Sequence, residues 1–514
     1  LGFEVLAPAT VFFLYFFKEW SNHTIEETRY LYMWTLEDVA ISLLCVALPL
    51  VVWICFEQFV RLWRSPFLTR ISNHLFLLIT AEIIFHVIDF CFYTNIGKQE
   101  WYPYGINGLR VLAYGLVGLS FCKNWTGLHR RVRQGCMIVS PGIAIVVVSA
   151  LCYSRFPKRM DPVPEISTAL AVKTGQDAAA TPVYLFIFDE WSYRLSYEQD
   201  RLKPMFENLE ALRKQSIMFT DAHSAGDYTM VSLPPFLFQT DRKVELRGGQ
   251  TGFVDKETWV PSQECQSLFS VTADKGYQSV LIGFHLPYGS WLGDKVDICR
   301  TYPFVIDADD VYESCVNRFL FPLVSSKNPL GKTIYDRYYN RIYYDYYYGL
   351  HPKVQQDIES VVMHGSLKTF AVFHYMSPHM PFLFDSEGAP KPCSSKMYKP
   401  TIENYEDHLG YTDTLIGRFV GMLKERGTYD RSLLIITSDH SWRKDPERDW
   451  DKPNTHVPLF IKLPHQRTSA ISRKRLELIE LGKLIEEVLH NAGRTTDIVS
   501  RFKAEGKLSL SDRP

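Results

Sequence analysis

The sequence predicts an α/β protein in which a mostly parallel sheet flanked by helices follows an N-terminal bundle of about five transmembrane helices. Three observations predict it. Residues 1 to about 153 are crowded with long apolar runs, whereas the remainder alternates short apolar runs with polar stretches. The short runs are continuously apolar, which suits strands buried on both faces of a parallel sheet. Stretches with apolar residues at three- and four-residue steps separate them, and strand–helix alternation of this kind covers a sheet on both sides. A net charge of −1 over 514 residues gives nucleic-acid binding no electrostatic support.

Crossing a bilayer takes about 20 predominantly apolar residues. Residues 1–17, 36–60, 74–96, 105–122 and 136–153 are the candidates, the first being short and carrying Glu4 and Pro8. The chain begins at Leu1 rather than Met, so a trimmed or incomplete N-terminus is expected. Two loops are basic without any acid: one holds Arg61, Arg64 and Arg70, the other Lys123, Arg130, Arg131 and Arg133. The positive-inside rule puts both in the cytoplasm. The alternate loops carry Glu19, Glu26, Glu27, Lys98 and Glu100. Everything beyond residue 153 is therefore expected outside the cytoplasmic membrane, and residues 154–181, with Pro157, Pro162 and Pro164, read as a linker. Glu82, His86 and Asp89 share one face of the third span, with Arg110 in the fourth as a partner. That set reads as an interhelical polar cluster, and a groove for a lipid headgroup is its functional alternative. Cys265, Cys299, Cys315 and Cys393 fall in the outer domain, where an oxidising compartment permits a Cys299–Cys315 bridge.

The sheet begins at Val183, in a run that ends in Asp189 and Glu190. Further runs lie at residues 279–283, 369–373, 433–436 and 457–461. Helical periodicity marks residues 202–215, 405–426 and 476–490. The stretch 334–349 holds seven tyrosines, including Tyr344, Tyr347 and Tyr348, which read as packing against the sheet rather than resting at a bilayer. Residues 182–465 form the expected catalytic domain, and 466–514 a helix and polar tail.

Open α/β sheets bind ligands beyond the carboxyl ends of their strands. Asp439 and His440 stand just past one such end, and a carboxylate beside an imidazole suits a divalent metal. His456 opens the next run. Between the strands lies Gly226-Asp-Tyr-Thr229-Met-Val-Ser232-Leu-Pro234-Pro. A hydroxyl at a helix start becomes a nucleophile when a metal lowers its pKa, and the helix N-terminus favours an anion in transfer. In Phe373-His374-Tyr-Met-Ser-Pro-His379-Met-Pro381, His379 can bind substrate oxygen or protonate a leaving group, and His374 reads as structural. His285 and Trp291 follow another strand, either lining a pocket or belonging to the core.

In chain order these pieces are strand-Asp-Glu, Thr-x-x-Ser-x-Pro, Ser-Pro-His-x-Pro, a helix with Tyr411 and Asp413, Ser438-Asp-His and His-Val-Pro-Leu. The order resembles the alkaline phosphatase superfamily in its sulfatase-like branch, over about residues 182–465. Membrane spans ahead of an external domain resemble, in layout only, the phosphoethanolamine transferases and lipoteichoic acid synthases. The resemblance implies one catalytic metal held by Asp189 or Glu190, Thr229, Asp439 and His440, with Asp189 favoured. His379 and His456 match histidines that contact the transferred group or a second metal, and His285 with Trp291 resembles a substrate-binding stretch. Where the synthases continue into an arginine, this chain has Leu292-Gly293, which weakens the case for glycerol phosphate. True sulfatases carry Cys or Ser in Cys/Ser-x-Pro-x-Arg, but here Thr229 stands in the window and that arginine is missing. The expectation is a membrane-anchored, metal-dependent transferase using zinc or manganese. It takes a headgroup from a membrane phospholipid through a phospho-Thr229 intermediate to a lipid or glycan acceptor. A hydrolase of phosphodiesters or sulfate esters is the alternative within enzymes, and a non-catalytic membrane scaffold or sensor the alternative outside them.

Overall fold

The computed structural model describes residues 180–302 and 340–490, apart from 248–249, 256–257 and 274, together with 498–500 and scattered helical residues between 55 and 134. Contacts divide the chain into two compact units, Leu1–Arg159 with Asp307–Lys332, and Met160–Ile306 with Thr333–Pro514. The expected spans fall mostly outside the described residues, as do Glu82, His86, Asp89, Arg110 and Cys315. Among the described residues no helix is long and apolar enough to cross a membrane. Cys299 is a free thiol among the described residues, and Cys315, its expected partner, lies outside them.

The second unit is built on strands β1 (Val183–Asp189), β2 (Tyr197–Glu198), β3 (Arg201–Leu202), β4 (Ile217–His223), β5 (Lys243–Arg247), β6 (Gln250–Asp255), β7 (Thr258–Pro261), β8 (Gln278–Phe284), β9 (Ile298–Tyr302), β10 (Thr369–Pro378), β11 (Leu433–Ser438), β12 (His456–Lys462), β13 (Ala470–Ser472) and β14 (Leu476–Glu477). Its helices are α1 (Tyr193–Ser196), α2 (Glu207–Arg213), α3 (Thr229–Leu237), α4 (Ser270–Ala273), α5 (Tyr288–Leu292), α6 (Asn340–His364), α7 (Ile402–Glu425) and α8 (Leu481–His490). Nine strands form one sheet in the order β13-β4-β12-β11-β1-β10-β8-β9, with β14 also on β4. The sheet is mixed rather than wholly parallel: β12 runs antiparallel to both its neighbours, and the other pairings are parallel.

The apolar runs explain the centre of the sheet. All seven residues of β1 and all ten of β10 are buried, as strands covered on both faces require. On one face Phe186 packs against Phe373 and Phe419 of α7, with ring centroids 4.9 and 5.0 Å apart. On the other face Phe370 meets Phe269, just before α4, at 5.2 Å. The long helix α7 starts where Thr401 caps it, its hydroxyl accepting from Asn404 N–H at 3.2 Å. Its Asp413 accepts from the first amides of α2, Asn208 N at 2.9 Å and Leu209 N at 2.8 Å, which ties the two helices together. The tyrosine stretch enters α6, where Tyr347 is buried in the core and Tyr348 faces Phe384 at 5.8 Å.

Two helices are shorter than their periodicity suggests. Residues 201–202 pair as β3 with β2, so α2 begins only at Glu207. Residues 476–477 pair with β4 as β14, and α8 begins at Leu481. Strands β13 and β14 thus bring residues beyond 465 into the same sheet.

Candidate metal centre

Strands β1 and β11 end side by side, with Phe188 opposite Ser438. The Ser438 hydroxyl fastens these ends. It donates to Phe188 O at 2.8 Å, lies 2.7 Å from His440 O, and accepts from Trp191 N–H at 2.8 Å. Beyond it, Asp439 Oδ1 accepts from the amides of Glu190 at 3.0 Å and His440 at 2.7 Å. One carboxylate oxygen is thereby fixed, and Oδ2 has no hydrogen-bond partner. Glu190 has φ 65, a turn that separates the directions of the two successive acids.

The polar turn after β4 delivers Thr229 as the first residue of α3. Gly226 permits this turn, because a Cβ there would lie 2.4 Å from Cγ2 of Val231. Ser232 donates to the Asp439 carbonyl, anchoring α3 to the end of β11. Thr229 Oγ1 then stands 3.2 Å from His440 Nε2, which is 3.3 Å from Asp439 Oδ2 and 3.7 Å from Asp189 Oδ1. Strand β10 adds His374, with Nε2 3.9 Å from Asp439 Oδ2. Asp189, His374 and Asp439 each offer a ligand atom, and these lie within 4.8 Å of one another.

The electrostatics identify what this cluster fits. Asp189, Glu190 and Asp439 are all at most 2% exposed. Burial, then the charges of Asp439 and Glu190, hold the Asp189 carboxyl well above the usual carboxylate range. Asp189 Oδ1, Asp439 Oδ2 and His374 Nε2 are buried polar atoms without a hydrogen-bond partner, an arrangement that costs stability unless something else satisfies them. Burial lowers the His374 pKa to about 4, so its imidazole is neutral, the form that ligates. Buried carboxylate oxygens and neutral imidazole nitrogens facing one point fit a divalent cation.

Glu190 has a different partner. Arg443 Nε donates to its Oε1 at 2.5 Å, and Arg443 Nη2 donates to His379 Nε2 at 3.0 Å. Burial alone would raise the Glu190 pKa, but the neighbouring His379 and His440 imidazoles and the Arg443 guanidinium outweigh it and bring the value to about 2. Glu190, expected as an alternative metal ligand, pairs its Oε1 with Arg443 while its Oε2 has no hydrogen-bond partner, and Asp189 is the acid that clusters with His374 and Asp439. His379 Nδ1 donates to Met380 O, leaving Nε2 as the acceptor that Arg443 meets.

The remaining expected residues lie around this cluster. His285 follows β8 with φ 75, and burial lowers its pKa to about 3. Trp291 is wholly enclosed, edge-on to Tyr288 with centroids 5.7 Å apart. Because β12 runs backwards, His456 at its start reaches the same rim as Asp439 and His440. There it stacks on Tyr193 at 4.0 Å and His223 at 5.3 Å, and its Nε2 donates to Thr220 O at 3.0 Å. Its contacts are with those groups, not with Asp189, Asp439 or His440. His456 also lines a cavity of about 300 Å³ together with Ser441, Arg194, Asp445 and Arg448.

Two residues of the site carry no signal of their type in the sequence, and a third shows only through its motif. His374 sits inside an apolar strand, where a histidine reads as core. Arg443 lies in a charged loop among other charges. Ser438 was visible only as part of the Ser-Asp-His motif.

The sulfatase family model matches residues 185–493. No curated protein matches the chain significantly. Among solved structures, the phosphonate monoester hydrolase of Agrobacterium radiobacter is similar at 15% identity, over 60% of this chain and 74% of that one, with TM-score 0.39. A protein of the alkaline phosphatase superfamily from Vibrio parahaemolyticus shares 13% identity, over 65% and 72% of the two chains, with TM-score 0.38. The lipoteichoic acid synthase LtaP from Listeria monocytogenes shares 13% identity, over 63% and 77%, with TM-score 0.37. The family match takes in every candidate ligand from Asp189 to His440, and on that ground this chain belongs to the sulfatase family.

Proposed function

We propose that the protein is a metal-dependent transferase, anchored to a membrane by its apolar N-terminal region, that moves a phospholipid headgroup of phosphoethanolamine or phosphoglycerol type to an extracytoplasmic lipid or glycan acceptor. The observation that carries this reading is the meeting of Thr229 Oγ1 with His440 Nε2 at 3.2 Å, at the start of α3 and among buried carboxylates. A hydroxyl so placed serves covalent group transfer better than it serves packing.

Asp189, Asp439, His440 and Thr229 would hold a divalent cation, zinc or manganese, whose positive charge lowers the pKa of the threonine hydroxyl. Thr229 Oγ1 gives up its proton and attacks the phosphorus of the donor phosphodiester. The Oγ1–P bond forms, the bond to diacylglycerol breaks, and the leaving oxygen takes a proton. The amides at the start of α3 stabilise the negative oxygens of the group in transfer. Arg443, fixed by Glu190, presents positive charge beside His379. In the second half an acceptor hydroxyl loses its proton, His379 Nε2 being an acceptor able to take it, and attacks the phospho-threonine. Thr229 is regenerated with its proton.

The family match favours one second reading, hydrolysis of a phosphodiester or sulfate ester with water as acceptor. Against the formylglycine route to sulfate esters stands Thr229, which is neither Cys nor Ser.

The deciding experiment is mass spectrometry of the Thr229 peptide after incubation with membrane phospholipids. An added phosphoethanolamine or phosphoglycerol mass, with the headgroup passing to a second molecule, is expected. Free headgroup as the sole product would establish the hydrolase, and an unmodified peptide with turnover intact would exclude the covalent route.

A further inference from the structure

We propose that His374 is a protein ligand of the same cation, and that Tyr288 is the positioning residue that aims it. This deepens the metal-dependent reading above and rests on it.

The imidazole has two nitrogens, and the structure assigns their roles. Nδ1 lies 3.2 Å from the Phe284 carbonyl, which only accepts, so Nδ1 carries the proton. Nδ1 also lies 2.6 Å from the Tyr288 hydroxyl, which itself donates to Phe284 O at 3.4 Å. With the proton engaged by this closed triangle, Nε2 holds a lone pair. That lone pair is buried, has no hydrogen-bond partner and lies 3.9 Å from Asp439 Oδ2. A distance of 3.9 Å is too long for a hydrogen bond between the two. It suits two atoms that share an ion lying between them.

The surroundings are built for Tyr288. His374 on β10 faces Gly283 on β8 in register. A Cβ at position 283 would lie 2.2 Å from Cε2 of Tyr288, so only glycine leaves room for the ring. Trp291 closes the far side edge-on. Four enclosed residues on two rigid elements thus fix the orientation of one imidazole. A metal-ligating histidine whose other nitrogen is held in this way is the usual second-layer arrangement, and removing the holder typically weakens the metal about 10- to 100-fold.

The consequence is a site with two carboxylates and two imidazoles, from His374 and His440. Such a set favours zinc over calcium or magnesium, which prefer all-oxygen shells.

The test uses the purified full chain, stripped of metal and titrated with zinc against a chromophoric chelator. Tyr288→Phe, which removes one oxygen, is expected to keep the fold by near-ultraviolet circular dichroism and to lose about 10- to 100-fold in zinc affinity. His374→Gln is expected to lose more. X-ray absorption of the zinc-loaded wild-type chain needs no variant and should count two imidazoles. If Asp439→Asn abolishes zinc binding while Tyr288→Phe and His374→Gln bind like wild type, and one imidazole is counted, this inference is overturned and the metal reading stands. If the wild-type chain binds no divalent ion, the metal reading itself fails.

Discussion

Asp189 and Glu190 are adjacent in the chain and equally enclosed, yet their carboxyls are driven in opposite directions. Burial with Asp439 and Glu190 nearby raises Asp189, while the positive groups around Glu190 bring it down to about 2. The sign for Asp189 is that of a group whose proton is favoured by folding. Its contribution is present below the ordinary carboxylate value and is lost as pH rises through the raised one. Metal-stripped protein should therefore lose stability from acid towards neutral pH, and zinc should restore more of the melting temperature at pH 8 than at pH 5.5. Calorimetry with and without zinc checks this. An equal gain at both pH values would show that Asp189 does not face the ion, and Asp189→Asn should remove the difference.

Replacing Thr229 by Ala removes the group that attacks. Turnover should fall by roughly 1,000-fold or more. Zinc content, measured by plasma mass spectrometry, should fall far less, because Asp189, Asp439 and His440 remain. Retained turnover with unchanged metal would point to another nucleophile.

Arg443 neutralises Glu190, which is 1% exposed, while itself remaining 30% exposed. Arg443→Met leaves an uncompensated buried charge, a change worth about 3–5 kcal/mol in destabilisation. Urea unfolding of the pair Arg443→Met with Glu190→Gln should recover much of that loss. Both chains should still bind zinc. Loss of the metal in Glu190→Gln would return Glu190 to the ligand set.

Ser438 serves two strand ends with one hydroxyl. Ser438→Ala strands the Trp191 amide and the Phe188 carbonyl, costing about 1–3 kcal/mol. It should also lower zinc affinity by loosening the turns that carry Asp189 and Asp439. Unfolding and zinc titration of the same sample give both numbers. A loss of stability with unaltered zinc affinity would limit Ser438 to holding the sheet.

Much of the fold was legible because its centre is apolar without interruption. The runs at β1, β8, β10, β11 and β12 announce buried strands, and the acids that end β1 and follow β11 announce the rim. Strand β4 was missed because Thr220, Asp221 and His223 break its run at the sheet's wetter edge. The β5–β7 ribbon was missed because it pairs only with itself and alternates polar with apolar residues. His374 was legible as buried but not as a ligand, since sequence does not show where a lone pair points. Arg443 owes its place to Glu190 and His379, both far away in the chain, and no local pattern reports such a partnership. Trp291 read equally as pocket wall or core from its type, and the structure encloses it beside Tyr288.

The reversed direction of β12 has one more effect. The segment from Ser441 to Thr455 leaves the rim after one histidine and returns to it at another, so it forms a closed flap anchored at both ends by the sheet. Salt links from Arg443 to Glu190, Arg448 to Asp227 and Asp445 to Arg194 pin it down at intervals. Exchanges at the exposed positions between these pins are expected to leave Asp189, Asp439 and His440 in place. Such a scaffold can change what it accepts while its chemistry stays constant, and variation among relatives should concentrate in this flap.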